Sequence, residues 1–138
     1  MAVEQKVREL QHFINGALVA GTSGRFSNVF NPSTGEVIAR VPLATKDEVK
    51  DAIEKAKAAF PAWKKTSAGK RAEIVQRFRQ LVTENIDELI EVICEESGKT
   101  KEDAKGEITR GLESVDLAIN AAHMTKGEYS VNVGGGIN

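Results

Sequence analysis

The chain has 138 residues, of which 41% are hydrophobic, enough for one globular core and too much for a disordered polymer. Its 19 basic and 20 acidic side chains are interspersed and leave a formal net charge of -1, so no one-signed field draws nucleic acid or an anionic membrane. The single cysteine, Cys94, excludes an intrachain disulfide and, with no His/Cys cluster around it, a zinc site; a reducing, cytoplasmic setting fits.

The first twelve residues are polar, lack an apolar signal core and carry Glu4 and Glu9, which argues against a targeting peptide and predicts a frayed start. No apolar run reaches membrane-spanning length. The segment His12-Phe-Ile-Asn-Gly-Ala-Leu-Val19 places Asn15-Gly16 between two short apolar runs. Both residues tolerate the positive φ of a type I′ turn, so a hairpin is expected. After the loop Gly21-Thr-Ser-Gly24, a β-rich pair follows, Arg25 to Phe30 and Glu36 to Val41, joined by Asn31-Pro-Ser-Thr-Gly35.

From Thr45 the hydrophobic period lengthens to that of a helix, and four amphipathic helices are expected in succession. Thr45 and Glu48 form a capping box, ahead of Val49, Ala52, Ile53, Ala56 and Phe60 on one face, and Pro61 terminates or kinks this first helix. The second starts near Thr66 or Ser67 and is expected to bury Ile74, Val75, Phe78, Leu81 and Val82, with Lys70, Arg71, Arg77 and Arg79 largely outside as a solvated face. Asn85 with Glu88 caps the third, which contains Leu89, Ile90, Val92 and Ile93 and stops at Gly98. The fourth runs from about Thr100 to Lys126 with an apolar stripe of Ala104, Ile108, Leu112, Val115, Ile119 and Ala122, ended by Gly127. Gly106 and Gly111 interrupt it, each costing about 1 kcal/mol relative to alanine, which points to close approach of another backbone or a ligand, or to tight helix packing. Glu128 to Val133 reads as one alternating strand, followed by Gly134-Gly-Gly136. As it stands, the fold class is α+β: N-terminal β-hairpins, four helices and one C-terminal strand.

Little in this inventory carries chemistry. Gly134 to Gly136 is the one glycine cluster, and without a following helix it makes a loop instead of cradling a pyrophosphate. Cys94 lies among Glu91, Glu95 and Glu96, whose charges disfavour a thiolate, so a packing role is expected. His12 and His123 stand far apart, with no arrangement suggesting a triad, and no metal constellation is visible.

Taken in order, Phe13-Ile-Asn-Gly16, Asn31-Pro-Ser-Thr-Gly-Glu36, Ala59-Phe-Pro-Ala-Trp63 and Lys70-Arg-Ala72 resemble the opening of the aldehyde dehydrogenase superfamily. The run Glu96-Ser-Gly-Lys-Thr100, then Asp103-Ala-Lys-Gly-Glu107, Arg110-Gly-Leu-Glu113 and Lys126-Gly-Glu128, resembles its CoA-acylating methylmalonate-semialdehyde branch. The resemblance implies that residues 1–138 are the N-terminal part of the cofactor-binding domain of an α/β enzyme, with 128–138 the start of its oligomerisation β-structure. It implies a parent that oxidises methylmalonate or malonate semialdehyde with NAD, through a cysteine thioester passed to coenzyme A, to propionyl-CoA or acetyl-CoA, and that is a homo-oligomer. The Asn-Phe-Pro segment, the dinucleotide sheet and the catalytic cysteine come later in the family's sequence, so this chain alone is expected to be inactive.

One position carries over. Substrates of this branch bear a carboxylate, and an arginine fork binds a carboxylate bidentately, so Arg110, in the matched Arg-Gly-Leu-Glu motif, is the candidate substrate-binding residue. A surface pair with Glu107 or Glu113 is the competing reading. No catalytic, cofactor-binding or metal residue is assigned. The alternatives are a stand-alone, non-catalytic binding or assembly module, and a fragment of a non-acylating aldehyde dehydrogenase.

Overall fold

The computed structural model of the chain describes residues 7–128. Five strands, β1 (Arg8–Glu9), β2 (His12–Ile14), β3 (Ala17–Val19), β4 (Phe26–Phe30) and β5 (Val37–Pro42), precede the helices α1 (Lys46–Lys65), α2 (Ala68–Glu84), α3 (Ile86–Ser97), α4 (Lys101–Ile119) and α5 (Ala121–Met124). The expected strand from Glu128 to Val133 and the glycines after it lie outside the described residues, apart from Glu128 itself.

The strands form two sheets, β2–β3 and a three-stranded sheet in the order β1-β5-β4. Asn15 (φ 54°) and Gly16 (φ 77°) make the turn of the first, with Ile14 opposite Ala17, as the Asn-Gly signal anticipated. In the second sheet β4 and β5 pair antiparallel around the Asn31–Gly35 turn. There the Asn31 side-chain oxygen accepts from the Ser33 and Thr34 N–H groups at 2.9 and 3.3 Å, and Gly35 takes φ 75°. Of the expected frayed start, residues 1–6 lie outside the described residues, and from Arg8 on the chain is paired: β1 lies parallel to β5, with Arg8 opposite Ala39, and Leu10 N–H donates to the Arg40 carbonyl at 2.9 Å. Ladder bonds come from the main chain, so the polar side chains of Arg8 and Glu9 do not oppose them. Flanked on both edges, β5 places Ile38 and Ala39 at 3% and 2% exposure.

At the start of α1 the Thr45 hydroxyl accepts from the Glu48 N–H at 3.2 Å, and the Glu48 carboxylate accepts from the Thr45 N–H at 2.6 Å. Its other oxygen accepts from the Thr22 N–H at 2.7 Å, tying the loop after β3 to the helix. Pro61 does not end α1, which runs on to Lys65. Lys57, whose carbonyl loses its partner at Pro61, is exposed, so that carbonyl can turn to water.

Ser67 caps α2, its hydroxyl accepting from the Lys70 N–H at 3.4 Å. The expected burial along α2 is not met: Val75 and Val82 are half-buried, but Ile74 and Phe78 are each 54% exposed and Leu81 is exposed too. Asn85 precedes α3 but its side chain donates back to the Leu81 carbonyl at 2.7 Å, so it gives no cap to Glu88. Gly98 ends α3 in the left-handed conformation, φ 70°, with its N–H donating to the Cys94 carbonyl at 2.9 Å.

The fourth helix also departs from expectation. It breaks at Asn120, whose side-chain amide donates to the Asp116 carbonyl at 2.9 Å, and a short α5 follows. An asparagine that bonds a carbonyl one turn back competes with the main-chain ladder, a tie that hydrophobic periodicity does not register. The predicted stripe holds from Ala104, fully buried, through Ile108, Leu112, Val115 and Ile119, all half-buried, while the side chain of Ala122 lies outside what is described. Helices α3 and α4 pack against each other, and each buries one apolar side chain, Ile90 at 7% exposure and Ala104 at 0%.

Two substitutions test these links. A Cβ on Gly98 would meet Pro32 Cγ at 3.0 Å and Ser33 Oγ at 3.3 Å, in a backbone conformation L-residues disfavour. Gly98→Ala is expected to lower stability by about 1–2 kcal/mol from the left-handed backbone alone, read as a lower denaturant midpoint at unchanged slope. The main-chain N–H of Thr45, then that of Thr22, hold Glu48 down to about 2 from its ordinary 4.5. A lowered carboxyl stabilises the fold above its unfolded value and loses that contribution as pH falls through its folded value. Melting temperature should therefore fall between pH 4.5 and about 2, and Glu48→Gln should flatten that part of the profile.

Candidate functional site

Arg110 stands on α4, in the third turn of a helix whose start is fixed by Thr100. The Thr100 hydroxyl accepts from the Asp103 N–H at 3.2 Å and donates to the Asp103 carboxylate at 2.8 Å. Ala104, Ile108 and Leu112 take the packed face, which leaves Arg110 exposed. Long helical side chains lean toward the N-terminus of their helix, and Arg110 does so: its Nη1 lies 3.5 Å from where a Cβ on Gly106 would be. The atom nearest the missing side chain of Gly106 is thus the guanidinium of Arg110, and around Gly111 nothing comes within 4 Å. A Cβ at either glycine would meet no other backbone within 4 Å among the described residues.

Arg110 forms no intrahelical pair with Glu107 or Glu113 among the described residues. Glu107 accepts from the Lys99 ammonium, which reaches it from the loop before α4, and among the described residues the Arg110 guanidinium has no ion-pair partner. Lys99, Glu102, Asp103, Gly106, Glu107 and Arg110 together line a concavity of about 360 Å³. Three carboxylates against two cations give no net positive field, so attraction for a small carboxylate rests on the unpaired fork. The Lys99–Glu107 pair is not legible in the sequence, because a loop residue eight positions away follows no helical spacing.

The other candidates stay apart. Cys94 is half-buried on α3, His12 lies on β2, and His123 is exposed on α5. The His12 Nε2 is enclosed near Gly21 and Pro42 and has no hydrogen-bond partner among the described residues. Among the described residues no group of three or more His, Cys, Asp or Glu could hold a metal ion. No helix there is long and apolar enough to cross a membrane.

Arg79, expected to face outward, instead bridges α2 to α4. Its Nε and Nη2 donate to the two Asp116 carboxylate oxygens at 2.5 and 3.2 Å, and this hydrogen bonding, then the charge, raises the Arg79 pKa. The pair lines a depression of about 580 Å³, and there its two charges offset each other. Lys101 is likewise raised by its hydrogen bond to Glu91, which joins α4 to α3.

The family model described as "Aldehyde dehydrogenase family" matches residues 18–136. The chain belongs to this family. It is 52% identical over 125 residues to a malonate-semialdehyde dehydrogenase of Pseudomonas aeruginosa, covering 91% of this chain and 25% of that protein. A malonate-semialdehyde dehydrogenase of Lacticaseibacillus casei is 42% identical, again over 91% of this chain and 25% of the relative. Among solved structures, the methylmalonate-semialdehyde dehydrogenase of Oceanimonas doudoroffii superposes with a TM-score of 0.86 at 44% identity, over 93% of this chain and 26% of that one. A Sinorhizobium meliloti protein provisionally named methylmalonate-semialdehyde dehydrogenase, complexed with NAD, gives 0.88 at 47% identity, over 96% and 27%. The mixed α+β arrangement is therefore part of the aldehyde dehydrogenase fold, and the chain spans about a quarter of the length of the curated relatives it matches.

Proposed function

We propose that the chain is the N-terminal quarter of an NAD-dependent, CoA-acylating dehydrogenase of malonate or methylmalonate semialdehyde, and that residues 1–138 belong to its cofactor-binding domain, with 128–138 opening the oligomerisation strand. The similarity to semialdehyde dehydrogenases named above supports the branch. The observation that carries the substrate class is the unpaired guanidinium of Arg110 lying over Gly106, with Glu107 already engaged by Lys99. An arginine so placed offers two parallel N–H donors to a substrate carboxylate, which an uncharged aldehyde lacks. Gly106 serves this by leaving the helix surface bare beneath the guanidinium.

In this reading the parent acts in the cytoplasm as a homo-oligomer on a small semialdehyde, without nucleic-acid or membrane partners. Oxidation there requires a thiol nucleophile and a hydride acceptor. Cys94 does not fit the nucleophile: it is half-buried on α3, and no histidine among the described residues stands beside it. Nor do the described residues include the glycine-rich strand-turn-helix that holds a dinucleotide, so no residue here is assigned to NAD or to coenzyme A.

Two measurements test the reading. In a complete homologous enzyme, leucine at the position of Arg110 should raise KM for malonate semialdehyde about tenfold or more, as loss of a charged hydrogen bond worth about 1.5–3 kcal/mol requires. The KM for propanal should change little; equal effects on both aldehydes would exclude the carboxylate role. The chain itself, incubated with malonate semialdehyde, NAD and coenzyme A, should form no NADH by absorbance, whereas turnover by the pure protein would show that the nucleophile is within it.

A further inference from the structure

We propose that Asn15 is a site of spontaneous deamidation, and that its isoaspartyl product unlocks the β2–β3 hairpin. The chemistry needs a side-chain amide free of partners, a following main-chain N–H able to act as nucleophile, and room around it. Asn15 is exposed, and among the described residues its amide makes no hydrogen bond. Gly16 presents no side chain, nothing lies within 4 Å of where its Cβ would be, and no main-chain acceptor among the described residues takes its N–H.

The other asparagines in the described residues are worse placed, each for a visible reason. Asn31 precedes Pro32, which has no N–H, and its side-chain oxygen is held by Ser33 and Thr34. Asn85 and Asn120 donate to the Leu81 and Asp116 carbonyls and precede Ile86 and Ala121. Asn28 lies within β4, opposite Arg40 and ahead of the β-branched Val29.

In the reaction the Gly16 nitrogen, giving up its proton, attacks Asn15 Cγ. A new C–N bond closes a succinimide, the bond from Cγ to Nδ2 breaks, and that nitrogen leaves as ammonia. Solvent water then adds to either ring carbonyl, giving aspartate or isoaspartate with no change of oxidation state. The type I′ turn must open for the nitrogen to reach Cγ. Its sheet has only two strands and β3 is exposed along its length, so opening costs little. Aspartate keeps the turn, since it tolerates positive φ, but isoaspartate adds a methylene to the main chain. The two-residue loop then no longer matches the Ile14–Ala17 register.

The test incubates the full 138-residue chain at mildly alkaline pH, its helices verified by circular dichroism, beside a peptide of residues 12–19. Peptide mapping and isoaspartyl methyltransferase labelling follow the products. Asn15 should convert ahead of Asn28, Asn31, Asn85 and Asn120, at no less than about a tenth of the peptide's rate, the factor corresponding to about 1.4 kcal/mol of opening. Asn15→Gln, which would have to close a larger ring, should abolish the signal. Conversion below that rate, an earlier change at another of these asparagines, or a signal that survives Asn15→Gln would overturn the proposal.

Discussion

Hydrogen bonding along both edges of β5 is the constraint on which the rest of the structure depends. With β4 along one side and β1 beside Ala39 and Arg40 on the other, this strand is the middle of the sheet, and Ile38 and Ala39 become its buried centre. Both neighbours also reach the helices. From β1, Arg8 pairs with Glu95 on α3 at 2.6 Å, and from the β4–β5 turn Pro32 and Ser33 press on Gly98 at the end of the same helix. Sheet and helices therefore meet at the corner between α3 and α4. Lys99 and Thr100 leave that corner to engage Glu107 and to cap α4, so the setting of Arg110 is inherited from the strand order.

Away from that corner the helices carry more apolar surface than they bury. Among the described residues Ile90 and Ala104 are the buried apolar side chains of the helices, while Phe60, Trp63, Ile74 and Phe78 stay exposed. The ion pairs Arg79–Asp116 and Lys101–Glu91 fix how α2 and α3 lie against α4, but exposed pairs of this kind contribute only about 0.2–1 kcal/mol each. Stability consequently leans on main-chain terms: the ladder around β5, the Thr45–Glu48 capping box and the left-handed stop at Gly98. Glu48 has particular reach because one carboxylate satisfies N–H groups in two separate segments.

Features that depend on a few neighbouring residues are legible in the amino-acid sequence. Asn15-Gly16 dictates a type I′ turn, Thr45 with Glu48 dictates a helix start, and Gly98 dictates a helix end. Each is decided by the φ values or hydrogen bonds those residues can adopt. The stripe from Ala104 to Ile119 is readable for the same reason, since side chains at helical spacing share a face whatever lies opposite. Arg110 stands out through the company it keeps in its motif. The pairings of Lys99 with Glu107 and Arg79 with Asp116 leave no such mark, because their partners are brought together by helix packing and by a loop.

By itself, then, the sequence determined the turns, the helix start at Thr45, the helix end at Gly98, the stripe of α4 and the family, all of which follow from short-range chemistry or from motif order. Tertiary structure alone decided that the polar segment at Arg8–Glu9 becomes a strand, that Asn120 breaks the last long helix, and that Ile74 and Phe78 face solvent. It also decided that Arg110 is left unpaired. The physical reason is common to these outcomes: a main-chain ladder is indifferent to side-chain polarity, burial depends on whether another surface arrives, and a charge is free only when its neighbours are held elsewhere.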